Sequence, residues 1–189
     1  MNTHMMTPGI HHVTAITADP QKCIDFYTQV LDMRFVKLTV NFDDPSAYHL
    51  YFGDESGRPG SALTFFAWPE VHRGQQGVGQ VIAIGFECAS GTLASWEKRL
   101  KSKKARFTRE SRFGSDYLAL KDPDGLLLEL VESPHVPGEK IAGFHSVTLA
   151  EDGSESTRVF LRENFGYTEI ANENNIYHFG TNEHDIGAH

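Results

Sequence analysis

The sequence predicts an α+β protein built from tandem βαβββ units. Three observations carry that expectation. Short β-rich runs come in groups, each group holding one amphipathic helical stripe after its first run. An opening phrase returns: "PGIHHVTAITAD" near the start is echoed by "AGFHSVTLAED" at Ala142–Asp152. The spacing of the groups is roughly 65 residues, too long for a solenoid repeat and suited to duplication of a small α+β unit.

The first unit opens with a strand at Ile10–Thr17. Asp19-Pro20 then reads as an N-cap followed by proline at the first helical position. Ile24, Tyr27, Val30 and Leu31 follow at helical spacing. Strands are expected at Arg34–Phe42, Ala47–Gly53 and Ser61–Trp68, with the turn-rich "GDESGRPG" between the last two. The Gly- and Gln-rich joint Arg73–Gln80 leads to a second unit. Its strand is Val81–Cys88, its helix carries Leu93, Trp96 and Leu100, and strands follow near Phe107–Glu110 and Tyr117–Lys121. Asp122–Gly125, "DPDG", is a turn in which Pro presets one central residue and Gly supplies the left-handed one. Leu126–Val131 closes the unit, and "ESPHVPGEK" (Glu132–Lys140) reads as a linker. A third unit starts at Ala142, with a helix through Val159–Leu161 and strands at Tyr167–Ala171 and Ile176–Gly180; the tail stops where its last strand is due. The expected organisation is two modules (10–70 and 80–132) within residues 1–132, a linker at 133–140, an incomplete third module at 141–189 and no fourth.

Charge and cysteine usage narrow the class of function. The net charge of −8 disfavours contact with a phosphate backbone, so no nucleic-acid partner is expected. The basic run Glu97–Glu110 is read as a solvated helix face. Two cysteines without CxxC spacing give neither a disulfide framework nor a thiolate zinc site, which points to a reducing, cytoplasmic setting. "MNTHMMTPGIHH" lacks a secretory pattern and no apolar run reaches about 18 residues, so no membrane contact is expected. Nucleotide-binding, hydride-transfer and serine-hydrolase motifs have no match.

The adjacent histidines His11 and His12 are the first chemical signal. Within a strand, neighbours point to opposite faces, so the two imidazoles should not share one environment. That pattern suits a metal ligand beside an accessory histidine, and it suits a strand end with one exposed histidine equally well. Parity also puts Thr14 and Ile16 on the face of His12. It puts Glu129 with Leu127 and Val131, leaving Leu126, Leu128 and Leu130 for the helix side.

The tandem units, the first-strand His and the DPDG-x-x-x-E hairpin resemble the vicinal oxygen chelate superfamily of glyoxalases, bleomycin- and fosfomycin-resistance proteins, epimerases and extradiol dioxygenases. "GIHHVTAI", "FYTQVLDMRFVKLTVNFDDP" and "ALTFFAWP" are similar, more specifically, to ring-cleaving dioxygenases of hydroquinone-type substrates. The resemblance implies cupped half-barrel mixed sheets with helices on the outer face and a divalent metal on the inner face. It implies His12 and Glu129 as metal ligands, with His11 and Thr14 as catalytic residues beside them. The implied cofactor is non-haem Fe(II), or alternatively Mn, Ni or Zn. The implied reaction inserts O2 into a hydroquinone- or catechol-like small aromatic substrate.

Carried over residue by residue, the ligand set stays short of two histidines and a carboxylate. Module two has Ala83 and module three Ser146 at the first-strand position, and Thr64, Phe65 and Phe66 occupy the last strand of module one. In the hydroquinone-type enzymes the module-one histidine works with a histidine and a glutamate from module four, which this sequence does not reach. Rival readings are a glyoxalase-like metal-dependent isomerase or transferase and a metal-free protein that sequesters an aromatic or antibiotic. Half-barrels with unpaired edges also admit a homo-oligomer. His145 is expected to hydrogen-bond structurally; His72, His178, His184 and His189 are assigned to loops or the tail; Tyr48, Tyr51, Phe65, Phe66 and Trp68 are read first as core.

Overall fold

Strand β1 (His12–Thr17) hands the chain to α1 (Pro20–Asp25) through the expected cap: the Asp19 carboxylate accepts the Lys22 N–H at 3.0 Å and Pro20 occupies the first turn. In the computed structural model, which describes residues 9–70, 72 and 74–181, this helix runs on into a single π-helical turn, Phe26–Val30. Strands β2 (Arg34–Val40), β3 (Tyr48–Gly53) and β4 (Ala62–Ala67) complete the first unit. They form a sheet ordered β1-β4-β3-β2, with β1 parallel to β4 and the other pairs antiparallel.

The second unit repeats the plan with β5 (Gln80–Ala89), α2 (Leu93–Ser102), β6 (Phe107–Arg112), β7 (Ser115–Lys121) and β8 (Leu127–Ser133). Its order, β6-β7-β8-β5, mirrors the first, again with first and last strands parallel. Strand β9 (Gly143–Ala150) then adds antiparallel to β5, making five strands. Helix α3 (Glu155–Phe165) and a separate hairpin, β10 (Thr168–Glu173) with β11 (Ile176–Gly180), follow. The α+β architecture of mixed sheets is thus observed, and β8 reaches Ser133, into the stretch read as linker.

Parity in β8 sorts its side chains as expected. Leu128 and Leu130 are fully buried in the main core with Leu93, Trp96 and Leu100 of α2. Leu127 and Val131 join Tyr117 and Ala119 in a second cluster, on the other face. The main core is continuous across both units, from Cys23, Tyr27 and Phe65 to Phe86 and Leu130. Burying each such large apolar side chain is worth about 1.5–3 kcal/mol.

Polar contacts clasp the two units. Tyr27 donates to Asp122 Oδ2 at 3.1 Å inside the core, and Asp124 accepts from the Thr17 hydroxyl at 2.6 Å and the Ala18 N–H at 3.2 Å. The DPDG turn therefore does more than reverse the chain. Gly125 takes φ +93° as anticipated, Asp122 Oδ1 accepts the Leu126 N–H, and the other oxygen of Asp122 reaches the first helix. Burial raises the Asp122 carboxyl above its ordinary range and pushes the Tyr27 phenol well up, so the phenol stays neutral and donates to Asp122. No helix among the described residues is long and apolar enough to cross a membrane.

Candidate functional site

The inner face of the first sheet is assembled by register. Pairing of His12 with Ala62, Thr14 with Thr64 and Ile16 with Phe66 puts these six on one surface, and β3 adds His49 opposite Phe66 and Tyr51 opposite Thr64. The opposite parity, Leu50, Phe52, Leu63 and Phe65, forms core. His12, Thr14 and Ile16 are exposed, and β1 is an edge strand, so this face lies open. The Thr14 and Thr64 hydroxyls are 2.9 Å apart, a hydrogen bond that fixes the threonine rotamers beside His12.

His11 does not behave as alternation predicts. The ladder begins at His12, so His11 precedes the pleat and is free to turn toward its neighbour. The two rings meet edge to face at 5.2 Å with their Nδ1 atoms 3.0 Å apart. Both histidines are exposed and share one environment. The carbonyl of His11 accepts the Gly60 N–H at 2.8 Å, and the carbonyl of Gly60 accepts the Phe144 N–H at 2.7 Å. The mouth of β1 is thereby tied to β9.

Glu129 occupies a different place. Its register partners are Ala119 on β7 and Gly85 on β5, in the second sheet. It is buried, and Arg112 forks onto both carboxylate oxygens at 2.7 and 3.2 Å. Gly85 pairs on its other side with Ser146, and a Cβ there would meet the Ser146 hydroxyl at 2.6 Å. The centre of the second sheet's inner face is filled by its own side chains. His12 and Glu129 thus sit on separate sheets. Among the described residues no three His, Cys, Asp or Glu side chains gather as a metal cage. His12, with His11 beside it, offers imidazole nitrogens on an open face, so the donors present suit part of a two-His-one-carboxylate site and do not fill it.

His49 was invisible to pattern reading, because β3 looked like an aromatic core run. Its ring lies 4.2 Å from both Tyr51 and Phe66, its Nδ1 is 3.0 Å from the Tyr51 hydroxyl, and its buried Nε2 has no hydrogen-bond partner. Burial first, then the nearby Lys37 and His12 charges, lower its pKa, which favours a neutral ring. Of the aromatics read as core, Phe65 is core, whereas Tyr51 and Phe66 line the inner face, Tyr48 is exposed, and Trp68 donates to Asp44 at 3.3 Å. His145 bonds the Ser146 hydroxyl at 3.0 Å. His178 lies within β11, stacked on Phe113, and not in a loop; His72 is exposed. His184 and His189 fall outside the described residues.

The chain is 40% identical over 184 residues to MhqO of Bacillus subtilis (strain 168), named as a candidate ring-cleaving dioxygenase, matching 92% of this chain and 59% of that protein. It is 33% identical to the chlorohydroquinone/hydroquinone 1,2-dioxygenase of Sphingobium indicum, again over 91% of this chain and 59% of that protein. A crystal structure of a candidate dioxygenase from Bacillus subtilis superposes with a TM-score of 0.92 at 40% identity, covering 97% of this chain and 62% of that one. The chain therefore spans about three-fifths of the length of these relatives. A family profile matches residues 9–130, which include His12, Thr14, Thr64 and Glu129. The chain belongs to the Glyoxalase/Bleomycin resistance protein/Dioxygenase superfamily.

Proposed function

We propose that this chain carries the first-strand histidine of a ring-cleaving dioxygenase that opens a hydroquinone- or catechol-like aromatic with O2. The observation that supports it is His12 on the open inner face of a family domain whose relatives bear dioxygenase names. A non-haem Fe(II), when bound, supplies open coordination positions for the substrate oxygens and dioxygen. His12 is the ligand we assign to it from this chain.

The other residues of the face have work that needs no metal geometry. His11, in contact with His12 and exposed, is the group we assign to proton transfer, since an imidazole can both donate and accept a hydrogen bond through its two ring nitrogens. Thr14, held by Thr64, keeps a hydroxyl beside His12. Phe66, Tyr51 and His49 make an aromatic wall that suits a flat ring. Glu129 is engaged by Arg112; we read it as that arginine's counter-ion, able to ligate only after the pair opens. We assign the reaction to the cytoplasm, where the buried thiols of Cys23 and Cys88 stay reduced.

Iron content and oxygen uptake on hydroquinone, measured on the natural protein and on His12→Ala and His11→Phe, test the reading. His12→Ala is expected to lose iron and uptake together, while His11→Phe keeps iron and loses uptake. Iron retained by His12→Ala sinks the assignment.

A further inference from the structure

The two sheets end differently at matching strands. In each unit the second strand is the outer edge of its sheet: β2 in the first and β6 in the second. An edge strand shows a row of backbone N–H and C=O groups with which another chain can pair, and proteins blunt such edges with charge. Strand β6 is blunted in that way. It reads FTRESR, and its exposed Arg109 is ion-paired with Glu97 and Asp116. Strand β2 reads RFVKLTV, and its Val36, Leu38 and Val40 are all exposed.

The apolar side chains of this edge gather on one face. Leu38 is the register partner of Leu50 and Val40 of Tyr48, so all four share the helix side of the sheet. Leu50 is buried there, whereas Leu38 is 52% and Tyr48 56% exposed. Phe42, just past the end of the strand, is 81% exposed. Such residues scattered singly are ordinary, but a contiguous strip along a strand edge marks a contact surface.

Charge is laid along the same edge with a polarity. Arg34 and Lys37 lie in its first half, and Asp43 and Asp44 lie just beyond its end. Among the described residues none of these four forms an ion pair. Arg34 donates to the Glu55 carbonyl, and Asp44 accepts from Ser46 and Trp68, so both charges are held in place without being neutralised.

We propose that β2 and the Phe42 corner form a self-association surface, on which a second copy of this chain seats its own β2 antiparallel. The two four-stranded sheets then join across a twofold axis near Leu38 and Thr39. A second copy is the occupant that the charges select. Antiparallel pairing sets the basic start of each β2 against the acidic end of the other, whereas parallel pairing sets like charges together. It also brings the Leu38 and Val40 side chains of both copies together, taking the exposed strip out of water. Strand β1 lies at the far edge of the sheet, so the face that bears His12 is left uncovered. The inference is therefore independent of the iron chemistry proposed above.

Sedimentation of the natural protein over about a hundredfold range of concentration tests it. The parent is expected to run at twice its own chain mass at the upper end of that range. Leu38→Lys is expected to weaken the dimer at least about tenfold while keeping the circular-dichroism spectrum of the parent, because the position is exposed. Lys37→Glu is expected to weaken it too, and adding Asp43→Lys to restore it, since the exchange rebuilds opposite charges across the axis. A parent that stays monomeric throughout, alone or with a different polypeptide on this edge, overturns the inference. A dimer that Leu38→Lys leaves intact overturns it as well. So does a double variant that associates no more tightly than Lys37→Glu alone.

Discussion

The first and second sheets share one strand order and treat their inner faces in opposite ways. The second fills its face: the Arg112–Glu129 pair lies across its middle, Ser146 presses where Gly85 has no side chain, and β9 covers the edge of β5. The first leaves β1 as an edge and presents His11, His12, Thr14 and Ile16 to solvent. Duplication has given one unit whose polar residues neutralise each other and another whose polar residues are left available. The open face of the first sheet can meet a ligand without breaking a buried ion pair, which is why the chemistry is assigned to His12 and not to Glu129.

Substitutions can break or sharpen this contrast. The largest effect is expected from Arg112→Leu, which strands the buried Glu129 carboxylate and should cost about 3–5 kcal/mol in chemical denaturation. Adding Glu129→Gln should return much of that loss; a loss of under about 1 kcal/mol for Arg112→Leu would mean that the second face is not sealed by the pair. Next comes Glu87, a buried carboxyl of β5 raised to about 7 by burial, with Arg58 pulling it the other way. Its folded form favours the proton, so its stabilising contribution is complete below the ordinary value of 4.5 and is lost as pH rises through about 7. Glu87→Gln should therefore melt several degrees higher than the parent at pH 8 and nearly with it at pH 4.5. Equal melting shifts at both pH values would remove the burial argument.

Smaller effects are expected on the open face. Thr64→Val takes the partner from Thr14 and should cost about 1 kcal/mol, with the rotamer of Thr14 released. His12→Ala should change stability by less than about 0.5 kcal/mol, because an exposed edge side chain supports little of the fold. A loss of 2 kcal/mol or more there would make His12 a structural residue and erase the contrast between the faces.

Local chemistry made much of the fold legible. Asp19-Pro20 marked the start of α1, DPDG marked the β7–β8 turn, and alternation through Leu126–Val131 separated the helix side of β8 from its inner side. The hidden features depend on contacts between distant residues. Arg112 and Glu129 meet only because β6, β7 and β8 pair in one register. His49 gains its position from pairing with Phe66, which no reading of "AYHLYFG" alone could fix. His11 escaped because a one-residue difference in where a strand begins decides whether alternation applies. His12 itself was legible as a candidate through the family resemblance, since the echoed phrase carries Ser146 at its position.

The clasp from Asp122 and Asp124 to Tyr27, Thr17 and Ala18 changes what the repeats are. They are not beads on a string. Cutting the chain between residues 70 and 80 would leave a phenol in one piece and a carboxylate in the other, each formerly sheltered and now wet. Heating should accordingly melt both halves in a single step, and anyone seeking a minimal autonomous module would have to redesign residues 27 and 122 together.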